Sequence, residues 1–220
     1  MNRVMAFFET RSARSRVKYL WESVLVVFLI SASLVGCSQG GSEVVESPSS
    51  VVTMTVGPVD EFHIALPEGW GMVPLKRKGG FTHSVFSADG GKGFSAALLR
   101  VGHESVRELK KYRGQESGDH FVIDVAKERD QYIRGDQENG GSVGERVLPD
   151  RLIAADCAFG YEYLYTENGG VSRRFEKWFV GRHDGLWTIT LVSAPGETVV
   201  PAEAVAALDT IEWSPAGSAG

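Results

Sequence analysis

The chain changes rhythm several times between apolar and polar positions. An unbroken apolar run, SVLVVFLISASLV, fills residues 23–35 and stops at Gly36 and Cys37, where polarity begins at once. Residues 38–58 are rich in Ser, Gly and Pro and hold no sustained period, which predicts a flexible tether. Within it VVTMTV, residues 51–56, also fits a first strand, so both readings stand. From Glu61 the alternation of Phe62 and Ile64 with His63 and Ala65 predicts a strand. PEGWG then turns the chain, and THSVFSA and GFSAALLRV predict two strands joined through DGGKG. SVRELKKYR reads as a short helix capped by Ser105.

In the middle, DHFVIDVAKERDQYI places Phe121, Val122, Val125, Ala126, Arg129, Tyr132 and Ile133 at helical spacing. The expectation is one helix begun at Asp119, whose charge suits the N-terminal dipole, and ended by GDQENGG. Three strands joined by two tight turns, ENGG and RHDG, follow as an antiparallel meander: AFGYEYLYT, VSRRFEKWFVG and LWTITLVSA. TVVPAEAVAALDTIEW predicts a last helix, capped by Thr198 with Pro201 in its first turn, and a short closing strand at DTIEW. Strands and helices segregate instead of alternating, so the expected class is α+β, an antiparallel β-sheet flanked by helices. The expected boundaries are a signal segment at 1–36, a tether at 37–59, a folded domain at 60–213 and a frayed tail at 214–220.

Residues 1–36 carry five Lys or Arg and two Asp or Glu, ahead of and at the edge of the apolar run. A basic start, a short apolar run and a small-residue exit are the parts of a secretory signal. As a helix the 13-residue run is about 20 Å long, short of a hydrocarbon core of about 30 Å, though adding Tyr19 to Trp21 would lengthen it. The basic stretch is long for a signal, which leaves Met5 as an alternative start. Without residues 1–36 the net charge goes from −5 to −8. An acidic chain argues against nucleic acid as a partner and against electrostatic adhesion to anionic lipid.

Leu34-Val35-Gly36-Cys37 resembles the lipobox of bacterial lipoproteins. The resemblance implies that Cys37 is the lipid attachment site and the first residue of the mature chain, on the extracytoplasmic face of the cell membrane. Two or more acyl chains, palmitate among them, anchor a protein stably where one does not. Cys157 is then left without an intrachain disulfide partner, and the domain must be stable through its core.

Candidate chemistry is sparse. Cys157 is a possible nucleophile if His183 or His120 lies beside it, but it shares strand parity with Phe159, Tyr161, Tyr163 and Tyr165, which predicts a small core residue. His63, His83, His103, His120 and His183 form no metal-binding pair in the sequence. Asp119, Asp124, Glu128, Asp130, Asp136 and Glu138 read as a solvated helix face, and GDQENGG lacks calcium-loop spacing. Arg134-Gly135-Asp136 spells an adhesion tripeptide, too short to carry weight. The expectation is no cofactor and no catalytic motif. Tyr161, Tyr163 and Tyr165, with Trp178 and Trp187 nearby, would line a binding groove only if no helix covered them.

FHIALPEGW resembles the Phe-x-hydrophobic-x-Leu-Pro-x-Gly-Trp opening of PsbP-like domains, and the element order over residues 60–213 is similar to theirs. The group includes small bacterial lipoproteins of the LpqN type, the photosystem II extrinsic subunit and a eukaryotic Ran-binding protein. The resemblance implies an adapter or binding module in the cell envelope, with an unidentified protein or small envelope molecule as partner. An envelope enzyme whose groups converge only in three dimensions is the alternative. Within the motif, Pro67 ends the strand, Gly69 permits a turn and Trp70 folds back as an apolar plug.

Overall fold

The computed structural model describes residues 49–75, 82–113, 118–166 and 170–217. Its centre is an antiparallel sheet built on the predicted meander: β9 (Asp156–Thr166), β10 (Ser172–Arg182) and β11 (Gly185–Val192). On one side β11 pairs with β5 (Leu98–Ser105), which pairs with β4 (Thr82–Ser87) and then β3 (Gly71–Met72). On the other, β9 carries β7 (Ser142–Val147) and β8 (Arg151–Ile153).

Strand parity divides the side chains between two cores. Phe159, Tyr161 and Tyr163 on β9 and Phe175 and Phe179 on β10 face one way. That face is covered by α1 (Val106–Arg113), α2 (Val125–Asn139) and a ribbon of β1 (Val51–Thr55) paired with β6 (His120–Asp124). Trp178, Val180, Trp187, Ile189 and Leu191 face the other way. They pack beneath α3 (Ala202–Ala207), the turn of 3-10 helix after it, and a ribbon of β2 (Glu61–His63) paired with β12 (Glu212–Ser214). The class is α+β, an antiparallel sheet with helices on both faces.

Four expectations are corrected. The tether does not run to residue 59: β1 occupies Val51–Thr55, with Met54 fully buried and Ser50 Oγ donating to Asp124 Oδ1 at 2.8 Å. The folded part therefore begins ten residues or so earlier than residue 60, because alternate residues of VVTMTV supply an apolar side for β6 to pair. The single middle helix is a strand followed by a helix. Phe121 and Ile123 are buried and Val122 is exposed, a period of two. Asp124, not Asp119, opens α2, its carboxylate accepting from the Lys127 amide at 3.2 Å. Thr198 caps nothing: α3 is six residues long and its cap position is Pro201. Last, β12 reaches Ser214, so the first residue assigned to the tail belongs to the domain and its Oγ contacts His63 Nε2 at 2.8 Å.

Other local readings hold. Ser105 and Glu108 form a reciprocal cap, the Ser105 amide donating to Glu108 Oε2 at 2.9 Å and the Glu108 amide to Ser105 Oγ at 3.4 Å. Gly69 adopts φ +80°, the Trp70 amide donates to the Pro67 carbonyl at 3.1 Å, and Trp70 packs against the second core.

Candidate functional site

The RHDG turn between β10 and β11 gathers Arg182, His183 and Asp184 around Asp60. Arg182 donates to Asp60 Oδ2 at 2.8 Å and also engages Asp156. His183 Nε2 lies 3.7 Å from Asp60 Oδ1. Asp184 is buried and accepts two hydrogen bonds, from the Asp60 amide at 2.9 Å and from Trp187 Nε1 at 3.2 Å. Gly185 closes the turn with φ +149°, and a Cβ there would lie 2.2 Å from the Glu104 carbonyl. Only glycine fits so close an approach.

Beside this turn lie two clefts. The larger, about 540 Å³, has a floor of Phe86, Val101, His103 and Trp187 and one wall made by the segment from Val59 to Leu66. Phe62 stacks on Trp187 with centroids 5.8 Å apart, and Trp213 meets both edge-on. Met72 stands at the rim, 62% exposed. His103 is the buried polar group of the floor. Its ring is 4.5 Å from that of Trp187, and burial pushes its pKa below the ordinary imidazole value, against the pull of Asp184.

The smaller cleft, about 400 Å³, is lined by Cys157, Phe159, Asp156, Arg182 and His183. It brings together the cysteine and one of the two histidines considered as its base. The chemistry opposes a nucleophile: burial pushes the thiol pKa up, and Asp150 and Asp156 push it further. His120 is elsewhere, on β6, with Thr55 Oγ1 3.3 Å from its Nδ1. His63 is on β2 and His83 on β4. Cys37 lies outside the described residues. Among the described residues, no three His, Cys, Asp or Glu side chains converge as a cation site, and no helix is long and apolar enough to cross a membrane.

The tyrosine row is not a groove. Tyr161 and Tyr163 are buried under α2, and Trp178 and Trp187 face the opposite side of the sheet. Alternation put the tyrosines on one face, but pairing parity across strands, which places Trp178 opposite Gly160, put the tryptophans on the other. The acidic residues of α2 are not uniformly solvated either. Asp136 accepts from Tyr161 at 2.6 Å and from Lys177 at 2.9 Å, and Glu128 is buried against Arg113. The Arg134-Gly135-Asp136 tripeptide therefore has its aspartate engaged within the fold.

Sequence reasoning named His103 and Trp187 but did not single out Asp60 or Asp184, nor join His103 and Trp187 with Phe86 and Val101 as the floor of a cleft. Asp60 and Asp184 lie 124 residues apart and meet through one backbone amide, which no spacing rule reveals.

No protein-family model matches the chain, and no curated protein matches it. Among solved structures it is similar to a Bacteroides thetaiotaomicron protein, 14% identical, with a TM-score of 0.42 over 71% of this chain and 46% of the other. The chain thus spans less than half the length of that structure. It is also similar to LpqN of Mycobacterium tuberculosis, described as involved in cell envelope biogenesis, 16% identical, with a TM-score of 0.45 over 75% of this chain and 92% of that one.

Proposed function

We propose that the chain is an envelope lipoprotein, held on the extracytoplasmic face of the cell membrane by lipid on Cys37. Its folded part, a PsbP-like domain, acts as a non-enzymatic adapter or binding module for a protein or small envelope molecule. The supporting observation is the larger cleft: an open, mainly apolar concavity floored by Phe86, Val101 and Trp187, with Asp60, Glu61, His63, Ser84 and His103 as its polar lining. Such a surface suits holding an apolar group better than activating a bond. The smaller cleft holds a Cys–His pair, but its thiol is driven toward the protonated, unreactive form.

Two measurements test this reading. Cys37→Ala is expected to abolish incorporation of an acyl label and to move the protein out of the membrane fraction; unchanged labelling and association contradict the anchor. Substrate screening is expected to find no turnover. A turnover abolished by Cys157→Ser would favour the enzyme instead.

A further inference from the structure

We propose that Asp184 is a pH-operated latch on the larger cleft: protonation of His103 draws the Asp184 carboxylate off the Asp60 amide and loosens the wall from Asp60 to Leu66. This inference gives the regulation of the cleft and rests on the binding reading above.

One oxygen atom carries the argument. Asp184 Oδ2 accepts from the Asp60 amide at 2.9 Å and also lies 3.9 Å from His103 Nε2. That second distance is beyond a hydrogen bond. His103 is 4% exposed, and its Nε2 has no hydrogen-bond partner of normal geometry. The turn closes directly over it: a Cβ on Gly185 would stand 2.7 Å from Nε2. Asp184 Oδ1 is occupied by Trp187 Nε1, so Oδ2 is the carboxylate oxygen that faces both the imidazole and the wall, while the Asp184 backbone also bonds the ring.

The charged groups around His103 agree on direction. Asp184 approaches from the turn, Glu108 from α1 and Asp60 from the wall, and all three carboxylates favour a cationic imidazole. Arg182 and His183 hold Asp60 from its other side. Burial opposes all three carboxylates and prevails, so the ring is neutral at neutral pH. Acidification adds one proton from solvent to the ring. The resulting N⁺–H···O⁻ contact favours a separation near 2.8 Å, about 1 Å shorter than the present one. A carboxylate that moves toward the ring to close that gap lengthens its bond to the Asp60 amide.

The wall is also held by the three-residue β2–β12 pairing, by the Ala65 amide on Thr210 Oγ1 at 3.0 Å, by Arg182 on the Asp60 carboxylate and by Phe62 on Trp187. Losing the Asp60 amide bond therefore acts first at the start of the segment, where no strand pairing holds it.

Hydrogen–deuterium exchange of the full chain, read by mass spectrometry on peptides covering residues 60–66, tests the latch. Exchange, corrected for intrinsic chemistry, is expected to rise about tenfold as pH falls from neutrality through the depressed titration of His103. In His103→Phe and His103→Gln the rise disappears, the second variant guarding against misfolding of the first. An unchanged wild-type segment, or the same rise in both variants, overturns the proposal. No ligand enters the measurement, so a cleft that binds nothing leaves this result intact, and a flat profile leaves the binding reading intact.

Discussion

Lys177 Nζ lies 2.9 Å from Asp136 Oδ2, on the apolar side of the sheet between Phe175 and Phe179. Tyr161 donates to the same carboxylate oxygen, and three tyrosine rings surround the ammonium at 5.2–5.9 Å. Burial lowers the Lys177 pKa, so the carboxylate is what keeps the charge tolerable. Removing one partner strands the other. Lys177→Ala is expected to destabilise the fold by about 3 kcal/mol in urea denaturation. The replacement Lys177→Met, Asp136→Leu and Tyr161→Phe, made together with Tyr163→Phe because Tyr163 also bonds Asp136, is expected to recover most of that loss.

Arg173 is a second buried cation, tied to backbone carbonyls. It is 3% exposed and donates to the carbonyls of Ser193 at 2.8 Å, Phe94 at 3.1 Å and Ala96 at 2.6 Å. It ties the loop before β5 to the end of β11. Arg173→Met leaves three acceptors without their donor and is expected to lower stability by about 3 kcal/mol. Arg173→Lys, which cannot reproduce a planar fork, is expected to recover only part of it. Chemical denaturation of the two variants checks the order.

The β8–β9 hairpin contains the chain's oddest turn. Ile153 pairs with Asp156, and the two residues between, Ala154 and Ala155, have φ 49° and 69°. These are the angles of a turn that asparagine and glycine occupy without strain. Ala154→Asn with Ala155→Gly is therefore expected to stabilise the protein by about 1–2 kcal/mol, visible as a higher Tm. An unchanged or lower Tm would show that the alanines are not strained.

The same turn explains why β8 was not legible. Two alanines carry no turn signature, and a three-residue strand carries no period. The meander was legible because β9 and β10 are each eleven residues long, because Phe159, Tyr161, Tyr163 and Tyr165 alternate along β9, and because glycine-containing turn sequences follow both. The middle segment misled for the opposite reason. Phe121, Val122 and Val125 fit a helical stripe while Phe121 and Ile123 fit a strand face, and only pairing with β1 decides between the two readings. The larger cleft was invisible because its wall and floor come from β2, β4, β5 and β11, brought together by sheet order alone.

pH dependence separates a buried group, His103, from a half-buried one, Glu104, of opposite sign. The unfolded imidazole of His103 has an ordinary value of 6.5, and burial holds the folded value lower. As pH falls, the unfolded chain takes the proton first, so stability is complete above 6.5 and is lost down to the folded value. Glu104 is shifted up by burial, so the folded chain takes its proton first, and stability is regained as pH falls from the raised value toward 4.5. Urea midpoints measured against pH are expected to lose the first slope in His103→Phe and the second in Glu104→Gln.

The binding cleft itself is tested most directly by a photoreactive amino acid in intact cells. It is placed at Met72, 62% exposed on the rim, or at Val199, 73% exposed and outside the cleft lining. The account predicts a discrete crosslinked adduct from position 72 that Phe62→Asp removes, and none from position 199. Equal adducts from both positions, or none from position 72, would contradict it.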